Sequence, residues 1–337
     1  MIARGDSRIS RRRRLILAFL LLAAIAPGTL LRTSLPETQV DILSVTPVDG
    51  PPGAVEVSGF RRVGLWELDS PNIDFGGYSA LLVPGERGLL RSFSDRGTMV
   101  TFGIPGTESE GEVDFAQVTD RAELGRFIPD IESATSNPDS GDYWLGFEGR
   151  HAVISYSADG TRLALREPTE WVGWPENSGA EAMARLADGR FLVLPEGRRQ
   201  GLLHPGDPTH GEPALQFAFT LPGDYAATDL APLPDGRVLV LLRRVTWAYP
   251  PFSAALGVAD PAGLKQGDTL VVEQVLDLDA LLPRENYEGL AVEETADGSL
   301  TVWIIADDNL ASFQRTLLAR LTWTAPAPAA QAKARED

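Results

Sequence analysis

Acidic side chains recur at two matched points of a unit that is repeated along the chain. The first point lies at the start of a short apolar run, and the second lies at the end of the next one. The residues at the first point are Ser79, Glu132, Glu181, Asp229 and Glu288. Those at the second point are Asp95, Glu148, Glu196, Arg243 and Asp307. Carboxylates that are crowded together take up protons or bind a cation, so these positions predict a site for a positive partner.

Calcium is the cation that fits these residue types best. It accepts about six to eight oxygen ligands in loose geometry, whereas zinc prefers nitrogen and sulfur, and the chain has no Cys and only 3 His. Single acids could equally bond neighbouring backbone N–H groups in turns or face solvent. The candidate metal ligands are Asp95, Glu132, Glu181, Asp229, Glu288, Asp307, Asp308 and Asn309.

Further residues could act on a substrate beside such a cation. A carboxylate such as Glu196 or Glu148 could activate a water molecule as a general base. Arg96 and Arg315 follow acid-rich strand ends and could hold an anionic group. Arg243 stands where the other units carry acid, and its type fits either a counter-charge or an anion anchor.

The elements around these residues are short apolar runs separated by Gly, Pro and Asp turns. In three of the units the turn between the first two strands is an Asp-Gly pair, at 188–189, 235–236 and 297–298, which is a β-hairpin signature. Units of about four antiparallel strands repeated every 50 residues or so predict an all-β fold, a β-propeller of five or six four-stranded blades. A β-sandwich is the alternative, but it does not explain acids at matched points of each unit.

Five units are visible, and a sixth could lie in residues 40–75 or 244–286. Residues 63–68 are expected to pair with residues 316–323, so that an N-terminal strand closes the circle and leaves no open sheet edge. The propeller domain is expected to occupy residues 40–323, with a disordered tail at 324–337. In a propeller the matched positions gather around one axis.

Composition and charge exclude several classes of function. The chain has 337 residues and a net charge of −17, of which residues 1–32 carry +6 and the remainder −23. Such a negative body repels phosphate backbones, so no nucleic-acid partner is expected. Without Cys there is no thiol nucleophile or disulfide, and no Gly-x-Ser-x-Gly elbow is present.

The N-terminal segment predicts export. Four arginines at 11–14 precede an apolar run at 15–31, which is typical of a signal peptide or an N-terminal membrane anchor over residues 1–32. We therefore expect a periplasmic or secreted protein, held at the inner membrane by residues 15–31 if the segment is not cleaved.

Several separated motifs resemble one known family. They are Phe75-Gly76-Gly77-Tyr78-Ser79-Ala80-Leu81 with Ser94-Asp95-Arg96-Gly97, Asn177-Ser178-Gly179-Ala180-Glu181-Ala182 with Pro195-Glu196-Gly197, and Tyr287-Glu288-Gly289-Leu290-Ala291 with Asp307-Asp308-Asn309 and Gln314-Arg315-Thr316. In this order they look like the bacterial phytase-like family described as "esterase-like activity of phytase". The resemblance implies an exported phytase-like propeller that hydrolyses phosphate or carboxylic esters.

Two other functions stay open on the sequence. The same channel mouth could bind a small anionic ligand or a partner without catalysis, and lactonase-type propellers also use an axial calcium. The first hypothesis is a calcium-assisted hydrolase of a small anionic ester.

Overall fold

The structure is almost entirely β. A computed structural model describes residues 38–85, 88–118, 129–171, 174, 179–197, 199–311 and 314–325. The predicted signal or anchor segment and residues 326–337 of the predicted tail lie outside this part of the chain. Within it, helical structure is limited to 3₁₀ turns at Pro208–His210 and Leu278–Ala280, and no helix could span a membrane.

The strands follow one another in chain order with short connections. They are β1 (Ser44–Pro47), β2 (Glu56–Val57), β3 (Phe60–Asp69), β4 (Tyr78–Leu82), β5 (Leu89–Ser94), β6 (Thr98–Gly103), β7 (Val113–Gln117), β8 (Ile131–Ser136), β9 (Tyr143–Phe147), β10 (Ala152–Tyr156), β11 (Arg162–Arg166), β12 (Ala182–Arg185), β13 (Phe191–Leu194), β14 (Gln200–His204), β15 (Leu215–Thr220), β16 (Ala226–Pro232), β17 (Val238–Val245), β18 (Phe252–Ala259), β19 (Thr269–Val271), β20 (Glu273–Asp277), β21 (Asn286–Glu294), β22 (Leu300–Asp307) and β23 (Thr316–Trp323).

These strands form five sheets, and each sheet contains one blade of four antiparallel strands. The blades are β4-β5-β6-β7, β8-β9-β10-β11, β12-β13-β14-β15, β16-β17-β18-β20 and β21-β22-β23-β3. The predicted Asp-Gly hairpins connect the first two strands of the third, fourth and fifth sheets, and Gly189 takes the positive φ (+87°) that such turns require.

The first strands of the sheets form a closed ring. β4 contacts β8, β8 contacts β12, β12 contacts β16, β16 contacts β21, and β21 returns to β4. Side chains also link neighbours directly, since Ser79 Oγ donates to the Ile131 carbonyl and Ser133 Oγ to the Ala180 carbonyl, both at 2.5 Å. The prediction of a β-propeller is therefore confirmed, with five blades, and the sandwich is excluded.

The fifth blade joins the two ends of the chain. β3 pairs antiparallel with β23, from Leu68 opposite Thr316 to Phe60 opposite Trp323. The rings of Phe60 and Trp323 stack at 4.5 Å between centroids and are both buried. Closure by an N-terminal strand, as predicted from residues 63–68, is confirmed.

No sixth blade forms in the described residues, and the two irregular regions reinforce existing blades instead. β1 pairs with β3 and so covers the outer edge of the fifth blade, while β2 pairs with the start of β3. β19 runs parallel to β15 of the third blade before β20 completes the fourth. Apolar side chains from adjacent blades pack between the sheets; for example, Phe217 of the third blade and Val240 of the fourth belong to one buried cluster.

Candidate functional site

A β-bulge occurs near the start of the first strand in four of the blades. The extra, unpaired residues are Ser79, Glu132, Thr228 and Glu288. In the third blade Glu181 directly precedes β12 and occupies the corresponding place. A bulge redirects one side chain without changing the alternation of the rest of the strand, which is how these strands keep apolar faces while presenting a polar residue.

The fourth blade corrects the sequence alignment by one residue. Thr228, rather than Asp229, is the bulged residue that matches Glu132 and Glu288. Asp229 is fully buried, and its two carboxylate oxygens accept backbone N–H bonds from Leu230 and Leu290, each at 2.7 Å. Asp229 therefore joins the fourth blade to the fifth. The prediction that it is a metal ligand is corrected, because Thr228 occupies the matched position and both oxygens of Asp229 accept backbone N–H bonds.

The second set of predicted residues has one consistent register. The Asp95 N–H donates to the Gly77 carbonyl and the Glu148 N–H to the Asp130 carbonyl, while Arg243 lies opposite Ala226 and Asp307 opposite Asn286. Each partner stands two residues before the bulged residue of its blade. The ends of the second strands therefore lie beside the starts of the first strands, at one end of the channel.

Five carboxylates converge at this end and are called the carboxylate centre below. Oxygens of Asp130, Glu132 and Glu148 all lie within 4.8 Å of one another, and so do oxygens of Glu148, Glu181 and Glu196. Glu148 belongs to both groups and links the second blade to the third.

Asp130 was missed in the sequence analysis. It stands two residues before Glu132 and directly across the hairpin from Glu148. The signal was the strand register, because pairing the two strands from their apolar residues places Asp130 beside Glu148.

Crowding and burial raise the pKa values of these acids. The pKa of Glu132 is raised well above its usual value by burial and then by the charges of Glu181 and Glu288. The pKa of Glu181 is raised in the same way by burial and by Glu196 and Glu148. The pKa of Glu148 is raised to about 7 by burial, by the charge of Asp130 and by a hydrogen bond with the Asp130 side chain.

A glycine makes room for the central carboxylate. A Cβ on Gly179 would lie 2.5 Å from Glu148 Cα and 2.8 Å from its Cγ, which no packed side chain could tolerate. The backbone N–H of Gly179 also hydrogen-bonds Glu148 and lowers its pKa, although less than burial raises it.

Arg243 connects the carboxylate centre to Glu288. One terminal nitrogen donates to Asn286 Oδ1 at 2.7 Å and contacts Glu288 Oε1, and the other lies 3.6 Å from Glu196 Oε1. Its charge lowers the pKa of Glu288 and of Glu181, in each case against a larger effect of burial. Of the two roles left open by the sequence, these contacts favour the counter-charge.

The acids from the first and fifth blades lie beside the centre and outside its two close groups. The pKa of Asp307 is raised by burial and then by Glu288, and that of Asp95 by burial. Asp308 Oδ1 accepts N–H bonds from Gly77 (3.2 Å) and Leu310 (2.9 Å), so this side chain fastens the fifth blade to the entry of the first.

Asn309 takes part in the same turn and not in the centre. Its N–H donates to Asp307 Oδ1 at 2.8 Å, and its Nδ2 donates to Gln314 Oε1 at 2.7 Å. The three predicted metal ligands at 307–309 thus form a turn that is held by hydrogen bonds between protein groups.

Arg96 and Arg315, which were predicted to bind an anionic group, are hydrogen-bonded to other parts of the protein. The terminal nitrogens of Arg96 donate to the carbonyls of Ile73 (3.0 Å), Phe75 (2.5 Å) and Gly76 (3.2 Å).

Arg315 Nε donates to Glu285 Oε1 at 2.8 Å, and its Nη1 lies 3.8 Å from Glu67 Oε2. Like Arg96, it is oriented by protein groups outside the carboxylate centre.

Three solved structures are similar to the chain at low sequence identity. The luciferin-regenerating enzyme is 13% identical with a TM-score of 0.45, and the match covers 84% of this chain and 95% of that one. The WD40 repeats of RRP9 are 9% identical with a TM-score of 0.42, covering 73% and 94%. Hydrazine synthase of Kuenenia stuttgartiensis is 14% identical with a TM-score of 0.38; the match covers 70% of this chain and 58% of the synthase chain.

Sequence comparison is more specific. No curated protein matches the chain. A family model described as esterase-like activity of phytase matches residues 73–310, which cover the first four blades, the first two strands of the fifth and every residue of the carboxylate centre. The chain belongs to this phytase-like family.

Proposed function

We propose that the protein is a calcium-assisted hydrolase of small anionic esters, either phosphoric or carboxylic, and that the carboxylate centre is its active site. The observation that carries this proposal is the convergence of Asp130, Glu132, Glu148, Glu181 and Glu196 within two overlapping groups of oxygens less than 4.8 Å apart. The chain's membership of the phytase-like family supports ester hydrolysis as the reaction class.

The donor set suits calcium. It consists of carboxylate oxygens, and calcium takes oxygen ligands in flexible geometry from side chains on separate elements. Burial and mutual repulsion raise the pKa values of Glu132 and Glu181, so a bound cation would relieve a penalty already present in the fold. Glu132 and Glu181, from two neighbouring blades, would hold the ion together with Glu148 or Glu196.

The ion would polarise the ester oxygen and the attacking water, as a Lewis acid does. The protein's own contribution is proton transfer and positioning. Glu148 belongs to both groups of oxygens and is placed to accept a proton from the attacking water, and Asp130 is placed to share that proton through its hydrogen bond to Glu148. Arg243 holds Glu196 and Glu288 in place at the edge of the centre.

Arg96 and Arg315 were predicted to bind the anionic group of the substrate, but their contacts do not support that role. The guanidinium groups of Arg96 and Arg315 are oriented by backbone carbonyls and by Glu285 outside the centre. We therefore assign recognition of the anionic group to the cation. A small anionic ester stays the expected substrate, and the predicted export of the protein through residues 1–32 is part of the proposal.

The test uses the full-length protein with para-nitrophenyl phosphate and para-nitrophenyl acetate, in calcium and after chelation. We expect turnover of at least one ester in calcium, loss of it with chelator, and at least a hundredfold loss in Glu181→Gln. Glu273→Gln, an exposed acid on β20, is the matched control and should keep full activity.

A different result would assign the centre another role. If chelation lowers the melting temperature but no ester is turned over, the centre binds calcium without catalysis, and the hydrolase proposal fails in favour of a ligand-binding propeller. If chelation changes neither stability nor activity, the cation assignment fails as well.

A further inference from the structure

A cavity opens at the end of the channel opposite the carboxylate centre. The carboxylate centre lies where the first strands begin, whereas this cavity of about 460 Å³ is lined where they end. Glu132 and Ser136 mark the two positions on β8, and four residues of extended strand separate them by roughly 13 Å. The cavity is therefore separate from the proposed active site.

The lining is mainly apolar and comes from four blades. Leu82 of the first blade, Ala134 of the second, Leu230 of the fourth, and Leu290 and Val292 of the fifth contribute to the wall. A volume of this size falls in the range of roughly 300–1,000 Å³ that is typical of sites for small organic molecules.

The charged groups of the lining have one sign. Glu293 and Glu294 both line the cavity at the end of β21, and no Lys, Arg or His lines it among the described residues. Glu294 is exposed and Glu293 half-buried, with one oxygen accepting a 3.3 Å hydrogen bond from Trp303 Nε1. Charge complementarity at this mouth favours a cationic group and disfavours an anionic one.

We propose that this cavity binds a small organic molecule with an apolar body and a cationic amine. The apolar body lies against the leucine and valine side chains, and the ammonium group lies at the mouth beside Glu293 and Glu294. This ligand class is opposite in charge to the ester assigned to the carboxylate centre, so we do not expect one molecule to occupy both sites.

The experiment compares three probes that share one apolar body and differ in charge. Binding of 4-phenylbutylammonium, 4-phenylbutanol and 4-phenylbutanoate to the full-length protein is measured by ligand-observed NMR and calorimetry. We expect the ammonium probe to bind at least about fivefold more tightly than the alcohol, and the carboxylate probe to bind more weakly than both. Absence of binding by all three, or equal binding of the ammonium and the carboxylate, would overturn the proposal.

Two variants locate the binding. Ser136→Trp places a large ring at the half-buried end of β8 and should abolish binding of the ammonium probe, while the double variant Glu293→Gln and Glu294→Gln should reduce its preference over the alcohol to less than twofold. Glu273→Gln is the matched charge control and should bind as the unmodified protein does. Unchanged affinity in a folded Ser136→Trp protein would refute the location.

A labelling measurement keeps the test decisive if Ser136→Trp does not fold. A diazirine analogue of the ammonium probe should label peptides that contain the ends of β4, β8, β16 and β21 in the unmodified protein. Labelling confined to other peptides would contradict the proposal.

Discussion

Replacement of Glu148 by glutamine tests the crowding of the carboxylate centre directly. The substitution keeps the size of the side chain and removes its ability to ionise. In the metal-free protein the pKa of Glu148 is raised from 4.5 to about 7, chiefly by burial and then by Asp130. An acid whose pKa is raised on folding contributes its full stability only below its unfolded pKa, and that stability is lost as pH rises through the folded value.

The size of the effect follows from this shift. At 1.36 kcal/mol per pKa unit the difference corresponds to about 3 kcal/mol, and because Glu148 is only half-buried, screening by water and salt reduces the expected effect to about 1–2 kcal/mol. Glu148→Gln should therefore stabilise the metal-free protein by about 1–2 kcal/mol at pH 8.5 and change it little at pH 4. For a chain of this size, this is a rise in melting temperature of roughly 1.5–3 °C.

The assay is thermal unfolding followed by circular dichroism between pH 4 and pH 8.5, with chelator and then with calcium. In calcium the unmodified protein should have the higher melting temperature, because Glu148→Gln has lost a carboxylate ligand and is stabilised less by the ion. Glu273→Gln, with the same chemical change at an exposed outer position, should follow the unmodified protein throughout. If Glu148→Gln lowers the melting temperature at pH 8.5 in chelator, or shows the pH dependence of the unmodified protein, then ionisation of Glu148 does not destabilise the folded protein and the reasoning fails.

Two further predictions concern the joints between blades. Asp229→Ala leaves two buried backbone N–H groups without acceptors and should lower the free energy of unfolding in urea by about 2–5 kcal/mol. The control Asp224→Ala, at an exposed site beside the same blade, should lower it by less than about 1 kcal/mol. Equal losses in the two variants would contradict the bridging role of Asp229. Phe60→Ala removes the buried ring stacked on Trp323 and should lower the free energy of unfolding by about 3–5 kcal/mol. Val63→Ala, at an exposed position of the same strand, should lower it by less than about 1 kcal/mol. A loss below about 1 kcal/mol in Phe60→Ala would show that closure of the propeller does not depend on this contact.

The fold was predictable because its signals are local and repeated. Alternation of apolar residues and the Asp-Gly turns define hairpins over short distances, and five such units in sequence leave few architectures. The closing strand was predictable for a related reason, since residues 63–68 are strand-like but belong to no unit and the last unit lacks an outer strand.

The candidate site was only partly predictable, because a bulge shifts the count of residues by one. In the run from Ala226 to Ala231 either Thr228 or Asp229 could be the unpaired residue, and only the pairing with β17 decides between them. Long side chains pose a different difficulty. The sequence shows that Arg96 follows Asp95, but the carbonyls that orient its guanidinium lie about twenty residues earlier and meet it only in the folded chain.

Two kinds of buried carboxylate occur in this protein, and the contrast between them bears on function. Asp229 is surrounded by the fold and receives a backbone N–H on each oxygen; burial raises its pKa, these two bonds lower it, and no neighbouring carboxylate among the described residues adds to the shift. Glu148 receives an N–H from Gly179, but Asp130 and Glu196 both raise its pKa. Stability alone would favour a glutamine or an apolar residue in such a place. A positive ligand reverses that preference, because each neighbouring carboxylate then adds an attraction to the ion where it had added only repulsion.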